Sequence, residues 1–180
     1  MNDNLKKMIY AALCLALCIV LPFLTVNNPM LGNVFCLMHI PVLLCGFICG
    51  PWWGLAVGAV APLLRSVMIG MPPMFPTAVA MAFELAVYGL VSGLLYRALK
   101  KKPWSVFVAL IVAMLAGRLV SGAVQFAFMG LFHTQYSMQT FLTASFVTPW
   151  PGILIQIVLI PAIVFALDKA GLLPDRSRGC

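Results

Sequence analysis

Residues 8–64 contain no Asp, Glu, Lys or Arg. Soluble domains carry about 25% charged residues, so a charge-free run of this length has no face to turn to water. The rest of the chain is almost as bare. Of 180 residues, 63% are hydrophobic and 8% charged, with a mean hydropathy of +1.08. These values exclude a soluble globular enzyme, a disordered chain and a secreted disulfide scaffold. They predict an all-α integral membrane protein folded as a single compact bundle over residues 1–180.

Breaks in the apolar pattern divide the chain into six transmembrane helices, at about 8–26, 39–49, 52–70, 77–99, 104–130 and 144–167. A spanning helix needs roughly 20 residues, and the second stretch is short. Asn27-Asn28-Pro29 ends the first, and Gly50-Pro51 is a turn signal after the second. Met71-Pro72-Pro73-Met74-Phe75-Pro76 cannot continue a regular helix, because each proline lacks an N–H and clashes with the preceding turn. Residues 131–143 read as a loop, with room for a short helix.

The basic residues orient these spans. Lys6 and Lys7 precede the first, Arg97, Lys100, Lys101 and Lys102 separate the fourth from the fifth, and Lys169, Arg176 and Arg178 follow the sixth. With six spans, all of these fall on one side, which the positive-inside rule makes cytoplasmic. Both termini are then cytoplasmic. The net charge of +7 is therefore a topology signal and not a nucleic-acid surface. Lys6-Lys7 before an apolar run is also the pattern of a signal peptide, but no small-x-small cleavage site follows and the run is long enough to span.

Cys14/Cys18 and Cys45/Cys49 are each four apart, one face of a helix per pair. A metal site would need further soft ligands, and small apolar packing residues are the simpler reading. No G-x-x-x-x-G-K-[ST], H-E-x-x-H or G-x-S-x-G motif is present, so neither ATP binding by a phosphate loop nor a familiar hydrolase site is encoded.

What remains is a small polar set inside the spans: Arg65, Glu84, Arg118, Gln125 and Gln156, with His39 and Asn33 near the outer end of the second span. Charges in hydrocarbon are expensive and mark functional sites. Arg118, Ser121 and Gln125 share one helical face, as do Thr77, Glu84 and Tyr88. At 1.5 Å per residue, Arg65, Glu84, Gln156 and Arg118 lie about 8, 10, 10 and 18 Å from the outer ends of their helices. That depth suits a pocket open to the outside. Glu84 is expected to pair with one arginine, leaving the other to hold an anionic group, bidentately if it is a carboxylate. The competing reading is an internal ion pair with the spare arginine snorkelling to the interface. Ala12/Ala16 forms a small-xxx-small pair near the inner end of the first span. Gly46/Gly50, Gly54/Gly58 and Gly89/Gly93 repeat the pattern, which lets helices approach closely in lipid.

Size, charge placement, Ala12-x-x-x-Ala16, and the blocks His39-Ile40-Pro41-Val42, Gly50-Pro51-Trp52-Trp53-Gly54, Gly70-Met71-Pro72-Pro73 and Phe83-Glu84-Leu85-Ala86-Val87-Tyr88-Gly89 carry a resemblance. Over nearly its whole length, the chain resembles the substrate-binding (S) component of an energy-coupling factor (ECF) vitamin transporter, of the riboflavin/pantothenate-type subgroup. The resemblance implies a transport subunit of the bacterial cytoplasmic membrane, without cofactor or ATPase of its own. It would bind a vitamin from outside and work with a transmembrane coupling protein and two cytoplasmic ATPases. Ala12 and Ala16 match the docking motif for the coupling protein. The loops carrying Asn28 and carrying Met71 and Pro72 match the gating loops. Two arginines favour an anionic, pantothenate-like substrate. A riboflavin-like one would need stacking partners, for which Trp150, Tyr136 and Phe126 are candidates. The alternatives are a self-sufficient secondary transporter or channel, an intramembrane enzyme built on Glu84 with His39 or His133, and a structural membrane subunit.

Overall fold

The structure is a computed structural model, and it describes residues 3–25, 35–99, 103–132 and 148–170. Among the described residues, every regular element is helical. The long helices are α1 (Asp3–Val20), α2 (His39–Cys49), α3 (Pro51–Ile69), α4 (Val79–Ala98), α5 (Pro103–Phe132) and α6 (Trp150–Lys169). α1, α3, α4, α5 and α6 are long and apolar enough to cross a membrane. α2 is not: its 11 residues rise only about 16 Å. All of its residues except Ile48 are buried, so it is enclosed by its neighbours.

Local chemistry explains where the elements depart from the sequence reading. The first helix was expected to reach residue 26, but α1 stops at Val20 and a 3-10 turn, Leu21–Thr25, follows. Pro22 has no N–H for the i−4 carbonyl, so the α-ladder ends before it and tightens. α3 ends on Gly70, at φ +75°, with the glycine N–H returning to Ser66 O, a left-handed C-terminal cap that glycine adopts without strain. Beyond the irregular Met71–Pro73, a wide helical turn, Met74–Ala78, leads into α4, interrupted by extended backbone at Phe75. The proline-rich segment is thus not regular helix, as expected. α6 starts at Trp150, later than expected. Residues 144–147 of that expected span lie outside the described residues, as does most of the loop at 131–143.

α2, α3 and α4 meet along a glycine seam. A Cβ at Gly54 would lie 2.6 Å from Gly89 O and 2.8 Å from the Cα of Gly46. One at Gly93 would lie 2.6 Å from Pro51 N. These are main-chain atoms, which cannot swing aside as a side chain can. Gly54→Ala is expected to lower the melting temperature of the detergent-solubilised protein by roughly 5–10 °C, from overpacking alone. Gly130→Ala, where nothing among the described residues lies within 4 Å, should leave it unchanged. Equal melting of the two variants would refute the seam.

α4 packs against α2, α3 and α5, and α1 lies against α2 and α3. The inward stripe of α1 is Ala11, Cys14 and Cys18, all buried. The Cys18 thiol donates to Met38 O (3.7 Å) and the Cys49 thiol to Lys7 O (3.4 Å), so the cysteines serve helix packing at this seam. Ala12 and Ala16 lie on the opposite, exposed face among Met8, Ile9, Leu13 and Leu17.

Contacts distinguish two ends of the bundle. At one, Gly50 (φ +100°) joins α2 to α3 with the Arg97 guanidinium of α4 packed against it, and Phe47 meets Tyr96 edge-on. Trp52 and Trp104 stand exposed on the first turns of α3 and α5, a placement typical of a membrane–water boundary. At the other end are the start of α2 at His39 and the Phe75–Phe128 ring contact, at 4.9 Å.

Candidate functional site

The polar residues of the bundle gather at the His39 end, around one main-chain carbonyl. Cys36 precedes α2 with φ +47°, a left-handed conformation uncommon for any residue but glycine and enriched at functional sites. Its carbonyl accepts from His39 N at 3.0 Å. It also accepts from Gln156 Nε2 of α6 at 3.3 Å, a bond spanning most of the chain. The segment before α2 is thereby tied to α6.

α4 supplies the carboxylate. Glu84 Oε1 accepts from Tyr88 Oη at 2.9 Å, one helical turn on, and lies 3.7 Å from His39 Nε2. The His39 and Tyr88 rings are 5.3 Å apart, tilted by 53°. α5 supplies the cation. Arg118 is 5% exposed and interacts electrostatically with Glu84 and with Cys36. Its neighbour Gly117 makes this approach possible, because a Cβ there would strike the Tyr88 ring. One turn further, Ser121 is buried and Gln125 is half-buried on the same face of α5.

His39, Glu84, Tyr88, Arg118 and Gln156 thus form one connected network with Cys36 as its hub. Other residues singled out in the sequence fall elsewhere. Arg65 is half-buried on α3. The groups acting on Glu84 are His39, Arg118 and Tyr88, and Arg65 is not one of them. Its neighbour Ser66 donates to Pro72 O at 2.7 Å, which fastens the proline-rich segment to α3. Met71 is exposed and Pro72 half-buried. Trp150 is exposed and Phe126 half-buried. Asn28, Asn33, His133 and Tyr136 lie outside the described residues. Sequence reasoning missed Cys36 and Gly117. One acts through its carbonyl and the other through the absence of a side chain, and neither leaves a signal in polarity or spacing.

Chemically, the network is a buried balance of one fixed cation and one carboxylate, with further hydrogen-bonding atoms from α2 and α6. Such a balance holds charge in a low-dielectric interior at far lower cost than either charge alone. No curated protein and no solved structure matches the chain. The model of the family described as ECF transporter, substrate-specific component, matches residues 6–173, and the protein, a multi-pass membrane transport subunit, belongs to that family.

Proposed function

We propose that this protein is the high-affinity binding subunit of an ECF-type importer for a vitamin or related micronutrient, pantothenate-like first and riboflavin-like second. The family match over residues 6–173 is the observation that carries the reading. The polar network at one end of an otherwise apolar bundle supports it. In this reading the His39 end faces outward and α2 counts as a crossing, giving six spans. Both termini are then in the cytoplasm of a bacterial cell, as the basic residues ask. Arg65, Glu84, Arg118, Gln125, Gln156, His39 and Asn33 contribute to binding, and the segments carrying Asn28 and carrying Met71 and Pro72 gate access. The exposed Ala12 and Ala16 on α1 dock the transmembrane coupling protein, which brings two cytoplasmic ATPases. The His39–Glu84 contact is the one feature that an acid–base enzyme would share. In a family of transport subunits it belongs to a binding site.

The test is uptake of radiolabelled pantothenate and riboflavin by a heterologous host carrying this chain, with and without the coupling protein and ATPases. Uptake of one of them only with the complete module is expected. Uptake driven by an ion gradient without the module would replace this reading with a self-sufficient transporter.

A further inference from the structure

Besides the Nε of Arg118, a residue that has other interactions, two polar atoms in the network are buried without a hydrogen-bond partner: Gln156 Oε1 and His39 Nδ1. Their residues are 1% and 6% exposed. Buried polar atoms in native proteins are paired in the great majority of cases, and each exception calls for an explanation. Here the two belong together. Gln156 Nε2 and His39 N both donate to the same Cys36 oxygen, which brings the two residues to one point.

Their chemistry is fixed by what surrounds them. A carbonyl can only accept, so the Gln156 amide must turn its nitrogen to Cys36 and leave its oxygen as an acceptor. On His39, Nε2 faces the Glu84 carboxylate at 3.7 Å. In the neutral imidazole with its proton on that nitrogen, Nδ1 keeps its lone pair and is also an acceptor. Both open valences therefore ask for a donor. Glu84 lies 3.7 Å from the other ring nitrogen of His39, and a second anion buried beside its carboxylate would be repelled.

From this we infer that the innermost part of the site takes a neutral hydrogen-bond donor of the substrate, a hydroxyl or an amide N–H, shared between Gln156 Oε1 and His39 Nδ1. Any carboxylate the substrate carries is held away from this point. The inference rests on the reading of the chain as a substrate-binding subunit, and it reverses the simplest expectation from two intramembrane arginines. Pantothenate and riboflavin both carry such donors, in hydroxyl and amide groups of one and in the imide of the other.

The experiment is calorimetric titration of the full detergent-solubilised chain with pantothenate and riboflavin, and then with analogues of whichever binds. One analogue set masks each neutral donor by O- or N-methylation. For pantothenate, another replaces the carboxylate with a neutral alcohol. Masking one particular donor is expected to weaken binding by about 10–100-fold, the effect of stranding a buried acceptor, and by more than loss of the carboxylate does. On Gln156→Met the same methylation should change affinity less than 3-fold, because the acceptor is already gone. The wild-type comparison stands alone if that variant fails to fold. If every methylated analogue binds wild-type protein within 2-fold of its parent, internal water satisfies the two atoms. The inference is then overturned, while the importer reading survives. Binding of neither parent compound overturns the substrate assignment and this inference together.

Discussion

Arg118→Met alone is expected to destabilise the protein more than any other single change in the polar network. The guanidinium is buried at mid-helix and acts electrostatically on Glu84, which also meets His39 and Tyr88. Removing the cation strands a carboxylate in an apolar bundle, which costs on the order of 3 kcal/mol. Methionine has similar length and flexibility, so lost packing contributes little. Adding Glu84→Gln removes the stranded charge while keeping an acceptor for the Tyr88 hydroxyl. The double variant should therefore recover most of the lost stability, and glutamine alone should be milder than methionine alone. Thermal melts of the four proteins in detergent form a double-mutant cycle. Additive losses, with no rescue, would show that Arg118 and Glu84 do not compensate each other.

Ala12→Trp combined with Ala16→Trp is expected to reduce uptake in the complete transporter by 100-fold or more, while substrate binding to the isolated subunit stays within 2-fold. The separation follows from the two faces of α1. Ala11, Cys14 and Cys18 pack inward, whereas Ala12 and Ala16 point away from the bundle and from the polar network. Large rings on the outer face disturb nothing inside the subunit. They do prevent a partner helix from approaching to the short distance that small residues permit. Undiminished uptake by this variant would remove Ala12 and Ala16 from the docking surface.

Much of the fold was legible because lipid asks one simple thing of each span, a run of apolar side chains between breaks. Five of the described long helices follow from that, and the start and end of α2 coincide with the sequence reading. Register is harder. Thr77, Glu84 and Tyr88 share a face only if one regular helix runs from Thr77. The wide turn Met74–Ala78 resets the helical phase, so Thr77 is exposed while Tyr88 is fully buried. The two intramembrane arginines look alike in the sequence. Neighbours separate them: Gly117 opens a slot for Tyr88 beside Arg118, and nothing in the local pattern around Arg65 discloses its distance from Glu84. Cys36 was invisible because its contribution is a carbonyl and a left-handed backbone.

The shortness of α2 bears on how the protein enters the bilayer during synthesis. Eleven residues do not reach across a hydrocarbon core about 30 Å thick, so α2 is a poor insertion signal on its own. A single residue, Gly50, separates it from α3, so the two are expected to be delivered as one helical hairpin, with α3 supplying the driving force. His39 is then expected to meet Glu84 only once α4 has followed. Assembly of the polar network is in this sense the step that marks the bundle as complete.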